Sequence, residues 1–101
     1  MDITPKELKQ KIDQGETFVL IDVREPNEHE AYNVGGELIP LKTLPNRLSE
    51  LEDHKDDEVV VYCRSGNRSG MAQQFMQQSG FSNVRNLTGG MLAWYDEFEN
   101  D

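Results

Sequence analysis

The alternation of apolar and polar positions along the chain is dominated by two uninterrupted apolar runs, at residues 18–21 and 59–62. Both runs are rich in β-favouring residues, and polar residues follow each of them. Runs of this length and composition are typical of strands that are buried on both faces of a sheet. We therefore predict two central strands here, and two shorter strands at residues 38–39 and 84–87.

A helix start is visible before the first of these runs. Thr4 is placed to cap a helix, Pro5 suits its first position and Glu7 can bond back to the cap. Ile3 and Leu8 flank this start at the spacing of a hydrophobic staple, in which the two side chains pack together. The sequence therefore predicts a short amphipathic helix that begins at residue 5.

Further helical segments are predicted from apolar residues that recur every three or four positions. They are a turn at residues 26–32, a helix at 43–51, a helix that follows the cysteine loop and stops near Gly80, and a final helix after Gly90. The residues that we expect in the core from the last two helices are Met71, Phe75, Met76 and Trp94. The acidic residues 96–101 are expected to form a solvated helix end.

Strands and helices alternate over the whole length, which is the pattern of an α/β domain with a mainly parallel sheet. No linker or internal repeat is visible, so we interpret residues 1–101 as one domain. In such a sheet, the loops at the carboxyl ends of the strands form the binding site. We therefore expect Asp22 and Arg24, after the first central strand, to face one crevice with the segment after Tyr62.

The composition limits the partners of this domain. Apolar residues make up 36% and charged residues 29% of the chain, and the formal net charge is −9. That charge repels nucleic acid and anionic membranes, so we expect neither as a partner. No apolar run approaches the roughly 20 residues of a membrane span, and the first residues lack a signal-peptide pattern. We therefore expect a cytoplasmic protein.

The chain has one cysteine, Cys63, which excludes an internal disulfide and any metal site that needs several thiolates. The two histidines, His29 and His54, lie in separate acidic segments. We therefore expect no metal and no other cofactor. His54 and its neighbour Lys55 are interpreted as surface residues in a solvated loop.

The most informative segment is the loop of residues 63–69, which joins a buried strand to a helix start. Such a loop can aim several main-chain N–H groups at one point, and Gly66 allows the sharp bend that this requires. These groups would lower the pKa of Cys63 from the usual value of about 8.5 and make it nucleophilic at neutral pH. The alternative is that Cys63 is a buried, unreactive side chain, as many free cysteines are.

The residues around this thiol have candidate roles. Arg64 is expected to bind a small anionic sulfur donor. The cradle around the sulfur is assigned to Ser65, Gly66, Asn67, Arg68 and Ser69. Two roles are open for Arg68, because it can bind the donor or be structural and pair with Asp22. Asp22 and Arg24 are candidate supporting residues, and the alternative for both is an ordinary surface ion pair.

The cysteine loop resembles the active site of the rhodanese homology domain, in which a cysteine at a strand end precedes a short glycine-containing loop with arginine and serine at its end. The matching residues are Val61-Tyr62-Cys63-Arg64-Ser65-Gly66-Asn67-Arg68-Ser69. Residues 20–26, 39–41, and 87–90 with 93–94 resemble further motifs of the family, in the family's order. The resemblance implies a five-stranded parallel sheet with helices on both faces. Residues 32–37 depart from the family's pattern, which leaves the shape of that loop open.

The resemblance also implies that Cys63 carries sulfur as a persulfide, with thiosulfate or another persulfide as donor and cyanide or a cellular thiol as acceptor. Because the chain has no second cysteine, the acceptor is external, either a small thiol or a dithiol protein such as a thioredoxin-like protein. Two alternatives are a noncatalytic or sulfur-relay module for one dedicated partner, and a phosphatase or arsenate reductase. The loop from Cys63 to Arg68 spans six residues, as in the sulfurtransferases, whereas the related phosphatases have seven. This length favours sulfur over phosphate.

Overall fold

A parallel sheet lies at the centre of the fold. The computed structural model describes residues 1–99. Its strands are β1 (Val19–Asp22), β2 (Glu37–Leu38), β3 (Val59–Tyr62) and β4 (Val84–Asn86). They lie in the order β2-β1-β3-β4, and every neighbouring pair is parallel. The predicted α/β class with a parallel sheet is confirmed.

Within residues 1–99 the sheet has four strands, so the expectation of five is wrong. The place of a fifth strand beside β4 is taken by one residue, Ile3, which forms a parallel bridge to Leu87. Ile3 N donates to Asn86 O at 3.0 Å, and Ile3 O accepts from Thr88 N at 2.8 Å. Pairing goes no further because a helix begins at Pro5, and proline has no N–H for a strand ladder.

The helices of the described part of the chain are α1 (Pro5–Asp13), α2 (Pro26–Ala31), α3 (Leu44–Arg47), α4 (Asn67–Gln78) and α5 (Gly90–Phe98). The predicted start of α1 is confirmed, because Thr4 Oγ1 accepts from Glu7 N at 3.2 Å and Glu7 Oε1 accepts from Thr4 N at 2.9 Å. Ile3 and Leu8 are fully buried in one cluster, as the staple requires.

The predicted helix at residues 43–51 is irregular. Only α3 is α-helical, and it lies between two 3₁₀ segments, Leu41–Thr43 and Leu48–His54. Leu44 and Leu51 are nevertheless buried, as the apolar spacing requires. Spacings of three residues fit a 3₁₀ helix as well as an α-helix, so the apolar pattern does not distinguish the two forms.

Alternate residues of β3 point to opposite faces of the sheet, and each face has its own core. On one face, Val59 and Val61 lie in a cluster with buried side chains of α4. On the other face, Val60 and Tyr62 lie in a cluster with α1 and α5, where Trp94 is buried. Helices therefore cover both faces, and the core position predicted for Trp94 is confirmed.

The apolar stripe predicted for α4 is partly wrong. The buried residues of this helix are Ser69, Ala72 and Met76, and Phe75 is partly buried against the same core. Met71, however, is 56% exposed. Consecutive residues of an α-helix are rotated by about 100° from each other, so the position next to Ala72 turns toward solvent.

None of the helices within residues 1–99 combines the length and the apolar character that crossing a bilayer requires. For the solvated helix end predicted at residues 96–101, the structure describes residues 96–99. Helix α5 ends at Phe98. Residues 100 and 101 of that prediction, and of the predicted domain, lie outside the described residues.

Gly36 and Gly35 offer a matched pair for a stability test in the loop before β2. Their φ angles are +86° and +98°, so alanine at either position is strained by about 1–2 kcal/mol. A Cβ on Gly36 would also lie 2.5 Å from Leu20 O, whereas a Cβ on Gly35 would meet nothing within 4 Å. We expect Gly36→Ala to lower the free energy of unfolding by about 2 kcal/mol more than Gly35→Ala. Urea denaturation of both variants measures this difference, and equal losses would contradict the prediction.

Candidate active site

The candidate site lies at the carboxyl edge of the sheet, where β1 and β3 end side by side. Asp22 is paired with Tyr62 in the sheet, and just beyond this pair Val23 N donates to Tyr62 O at 3.0 Å. Cys63 follows Tyr62 directly. The segment between β1 and α2 therefore meets the cysteine loop at the edge that the sequence predicts.

Donors of its own loop surround the sulfur of Cys63. Gly66 N donates to Cys63 Sγ at 3.1 Å and Ser69 N donates at 3.3 Å, and the hydroxyl oxygen of Ser69 lies 3.2 Å from the same sulfur. Gly66 has a φ of +104° just before α4 begins, a conformation that a side chain would strain. Cys63 is 1% exposed, yet its sulfur lies in a polar cradle of the kind that the loop sequence predicts.

This environment lowers the pKa of Cys63. Burial of the sulfur alone raises the pKa, because a thiolate loses hydration when it is buried. The hydroxyl and N–H of Ser69 and the N–H groups of Gly66 and Ser65 lower it, and together they outweigh the burial. The loop therefore stabilises the thiolate, which is the nucleophilic form of cysteine.

Asn86, at the end of β4, forms hydrogen bonds with two residues of the loop. Its Oδ1 accepts from the Ser69 hydroxyl at 2.6 Å, and its Nδ2 donates to Gly66 O at 3.1 Å. Gly66 and Ser69, which donate to the sulfur, are thus both bound to one carboxamide. Asn86 is therefore part of the site. Its side chain binds the residues that surround the sulfur and not the sulfur itself.

Helix α5 holds the main chain of the loop from another side. Met91 N donates to Cys63 O at 2.9 Å, and Leu92 N donates to Arg64 O at 3.0 Å. These contacts require glycine at position 90, because a Cβ on Gly90 would lie 2.5 Å from both carbonyl oxygens. Gly90, which the sequence pattern marks only as the start of a helix, is thus needed for the close approach of α5 to the loop.

Arg68 is bound to Glu28 of α2, so the predicted pairing of Arg68 with Asp22 is wrong. Its two terminal nitrogens donate to the two carboxylate oxygens of Glu28 at 2.7 and 2.9 Å. Asp22 is not available, because Arg24 and His29 already contact its oxygens. The hydrogen bonds from Arg68 lower the pKa of Glu28 to about 2. Arg68 therefore connects the cysteine loop to α2.

A buried network supports the same edge of the sheet. Asp22 is fully buried and accepts from Arg24 Nε at 2.9 Å and from an Arg24 terminal nitrogen at 2.7 Å. His29 Nδ1 lies 2.8 Å from Asp22 Oδ2. Burial raises the pKa of Asp22, but the hydrogen bonds from Arg24 and His29 outweigh it, and the pKa is lowered. Arg24 is 5% exposed, so the alternative of a surface ion pair is wrong.

Arg64 follows Cys63 directly in the loop. Its side chain is exposed and makes no hydrogen bond or ion pair with the described residues 1–99. It lines a groove of about 280 Å³ between α2 and α5, together with Leu92 and Tyr95, which are 48% and 53% exposed. Ser65 and Asn67 of the loop are also exposed. Arg64 is thus the loop arginine that is available to an anion.

Sequence reasoning missed three side chains of this site: Glu28, His29 and Asn86. Glu28 and His29 lie on α2, which begins within a few residues of β1, and Asn86 is the last residue of β4. Their positions at or just after strand ends could have indicated them, because the carboxyl ends of parallel strands meet at one edge of the sheet. In the part of the chain that the structure describes, no three His, Cys, Asp or Glu residues are grouped so that they could hold a metal ion.

Comparison with known proteins identifies the family. The family model of the rhodanese-like domain matches residues 4–97. A sulfurtransferase of Allochromatium vinosum is 38% identical over 94 residues, which cover 92% of this chain and 86% of that protein. The putative sulfur carrier protein YrkF of Bacillus subtilis is 37% identical over 97% of this chain. The chain spans 52% of YrkF, about half of its length.

A solved structure agrees with this assignment. The rhodanese-like domain protein from Staphylococcus aureus superposes with a TM-score of 0.82 at 31% sequence identity, and the match covers 93% of this chain and 91% of that one. The chain therefore belongs to the rhodanese-like domain family. The resemblance in the cysteine loop and in the other motifs is confirmed at the level of the family.

The pair of Glu28 and Arg68 predicts a pH-dependent effect of Glu28→Gln. The pKa of Glu28 is lowered from its ordinary 4.5 to about 2, so its carboxylate stabilises the folded protein above about pH 4.5 and loses this effect as the pH falls toward about 2. We expect Glu28→Gln to lower the free energy of unfolding by about 1–3 kcal/mol at pH 7, and by much less near pH 2.

Urea denaturation of the wild-type protein and of Glu28→Gln between about pH 2 and 7 tests this pH dependence. Glu30→Gln changes an exposed residue of the same helix and serves as the control, with little effect expected at any pH. A loss in Glu28→Gln that stays constant over the whole range would contradict the prediction.

Proposed function

We propose that this protein is a sulfurtransferase in which Cys63 accepts a sulfur atom, holds it as a persulfide and passes it to an external thiol. The observation that carries the proposal is the set of donors on Cys63 Sγ, from Gly66 and Ser69. The names of its relatives support it as well, because they include a sulfurtransferase and a putative sulfur carrier protein.

The first half-reaction loads the enzyme. The Cys63 thiolate attacks the outer sulfur of a donor such as thiosulfate, so that a new S–S bond forms and the bond to the sulfite sulfur breaks. Sulfite leaves with the electron pair of that bond. The negative charge then lies on the terminal sulfur of the persulfide, where the N–H groups of the loop can stabilise it. Arg64 attracts the anionic donor at the mouth of the groove.

The second half-reaction removes the sulfur atom from the enzyme. The 101 residues contain one cysteine, so no thiol of the chain can displace the sulfur. An external nucleophile attacks the terminal sulfur and regenerates the Cys63 thiolate. This acceptor is a small thiol, a dithiol protein such as a thioredoxin-like protein, or cyanide in an assay. A free, activated thiol suits a reducing compartment such as the cytoplasm, and the two steps give ping-pong kinetics.

A sulfur-relay module is the second candidate, and the likeness to the putative sulfur carrier YrkF favours it. A relay would form the persulfide and give its sulfur to one dedicated protein, with little turnover of small acceptors. Phosphatase activity is less well supported, because both terminal nitrogens of Arg68 are bound to Glu28. Arg68 would have to leave this partner before it could bind a phosphate at the loop.

Thiosulfate treatment is expected to add one sulfur atom, about 32 Da, to the wild-type protein and none to Cys63→Ser. The reason is that the substitution removes the only thiol. Mass spectrometry of the intact protein measures the persulfide, and thiocyanate formation from thiosulfate and cyanide measures turnover. Turnover by Cys63→Ser at the wild-type rate would refute the mechanism. Persulfide formation without turnover of cyanide or small thiols would favour the relay.

Removal of the Arg64 guanidinium is expected to weaken the binding of anionic donors. We predict that Arg64→Ala raises the KM for thiosulfate about 5–20-fold and changes kcat by less than about 3-fold, because the charge acts mainly on binding. Steady-state kinetics measure both constants. Lys6→Ala on α1 is the matched control, since Lys6 is exposed and its loss changes the net charge equally. Equal KM values for Arg64→Ala and Lys6→Ala would contradict the role of Arg64.

A further inference from the structure

The hydroxyl of Ser69 faces two acceptors at once. Ser69 Oγ lies 2.6 Å from Asn86 Oδ1 and 3.2 Å from Cys63 Sγ. A hydroxyl group has a single proton, so it can donate to only one of these atoms at a time. The other contact must then be made by a lone pair of Oγ. The protonation state of the sulfur and the direction of this hydroxyl are therefore coupled.

The carboxamide of Asn86 cannot turn over to remove this competition. Its Nδ2 donates to Gly66 O at 3.1 Å. If the amide were flipped, Oδ1 would face this carbonyl oxygen, and two acceptors without a proton between them repel each other. Asn86 therefore presents its oxygen to Ser69 permanently.

The protonated and ionised forms of Cys63 make different demands on Ser69. With a thiol, the S–H donates to Ser69 Oγ and the hydroxyl donates to Asn86 Oδ1, so that every group is satisfied. A thiolate has no proton and can only accept, which draws the hydroxyl toward the sulfur. Asn86 Oδ1 then loses its donor and faces a lone pair of Oγ at 2.6 Å. The carboxamide therefore opposes ionisation of the thiol.

A persulfide removes this conflict. Its charge lies on the terminal sulfur, and Sγ becomes a neutral sulfur bonded to Cβ and to the second sulfur. The Ser69 hydroxyl can then return to Asn86 Oδ1 while the N–H groups of the loop stabilise the charged atom. The persulfide anion is thus compatible with the hydrogen bond from Ser69 to Asn86. The thiolate of the sulfur-free enzyme is not.

We propose that Asn86 is a positioning residue that acts through the Ser69 hydroxyl: it destabilises the empty Cys63 thiolate relative to the persulfide and so favours the sulfur-loaded state. The part that concerns loading rests on the proposed function. The part that concerns ionisation does not, because it depends only on the contacts among Ser69, Asn86 and the sulfur.

The charged groups near this edge of the sheet are the same in every variant of the test. They are Arg64 and Arg68 of the loop, and Asp22, Arg24, Glu28 and His29 of the segment from β1 to α2. Their fields act on the thiol whether or not Asn86 is present. A comparison of neutral variants at positions 69 and 86 therefore isolates the hydroxyl.

The first experiment measures alkylation of Cys63 by iodoacetamide as a function of pH, which reports the thiolate because the protein has one cysteine. We expect Asn86→Leu to react about tenfold faster than wild type at pH values below the pKa, since the thiolate no longer competes for the Ser69 proton. In a Ser69→Ala background, the same substitution should change the rate by less than about twofold, because no hydroxyl is present.

The Ser69→Ala background controls for damage to the loop. Asn86→Leu also removes the bond to Gly66 O, and that loss acts equally with and without the Ser69 hydroxyl. Asn86→Ala is the second variant if the leucine variant does not fold, as judged by circular dichroism, and it should give the same direction of change. Alkylation at the wild-type rate or slower, or equal acceleration in both backgrounds, would overturn the proposal.

The second experiment measures the loading equilibrium, in which the thiolate and thiosulfate form the persulfide and sulfite. At a pH above the pKa of Cys63, where the free enzyme is mainly thiolate, and at fixed concentrations of thiosulfate and sulfite, Asn86→Leu should lower the ratio of persulfide to free enzyme about tenfold. At this pH the ratio reflects the stability of the thiolate relative to the persulfide. Mass spectrometry of the intact protein reads this ratio. An unchanged or higher ratio would overturn the loading part. Faster alkylation in a protein that forms no persulfide at all would refute the proposed function and leave the role of Asn86 in ionisation intact.

Discussion

The convergence of main-chain N–H groups on the Cys63 sulfur is the interaction on which the rest of the site depends. A loop of this length loses conformational freedom when it curls around one atom, so contacts outside the loop must hold its shape. The carboxamide of Asn86, the amides of α5 and the ion pair of Arg68 with Glu28 supply these contacts. The sulfur is thus a point at which several separate elements of the fold meet.

The sheet explains why these elements can meet there. In a parallel sheet, all carboxyl ends lie at one edge, and three of the four strands within residues 1–99 bring a polar or reactive side chain to it. β1 ends in the buried carboxylate of Asp22, β3 leads to Cys63 and β4 ends in Asn86. The apolar residues of β3 fill the cores on both faces, so the polar groups at the edge are placed by strands that have little freedom to move.

The features that the sequence predicts well are those set by neighbouring residues. The buried strands, the capping box of Thr4 and Glu7 and the bend at Gly66 depend on local spacing and on conformations that few residues adopt. The contact between the two strand ends also follows, because it needs only the parallel arrangement. The family motifs add the expectation of sulfur chemistry at Cys63, and the family itself is confirmed.

The features that escape prediction depend on partners that are distant in sequence. Arg68 and Glu28 are 40 positions apart, and composition cannot decide between Glu28 and Asp22 as the acceptor. The role of Asn86 depends on two distances in one hydrogen-bond network, which no periodicity reveals. The fifth strand is absent within residues 1–99 because a proline starts α1 so close to Ile3, and the 3₁₀ segments share their apolar spacing with an α-helix.

The contact of α5 with the loop also has a consequence during synthesis of the protein. Met91 N and Leu92 N bind the carbonyl oxygens of Cys63 and Arg64, and the ribosome makes these two amides well after it has made the cysteine. A nascent chain without residues 90–98 lacks this support, so its cysteine loop is held by fewer contacts. The main-chain support of the cysteine loop is therefore complete only when residues 90–98 have left the ribosomal tunnel and α5 has docked.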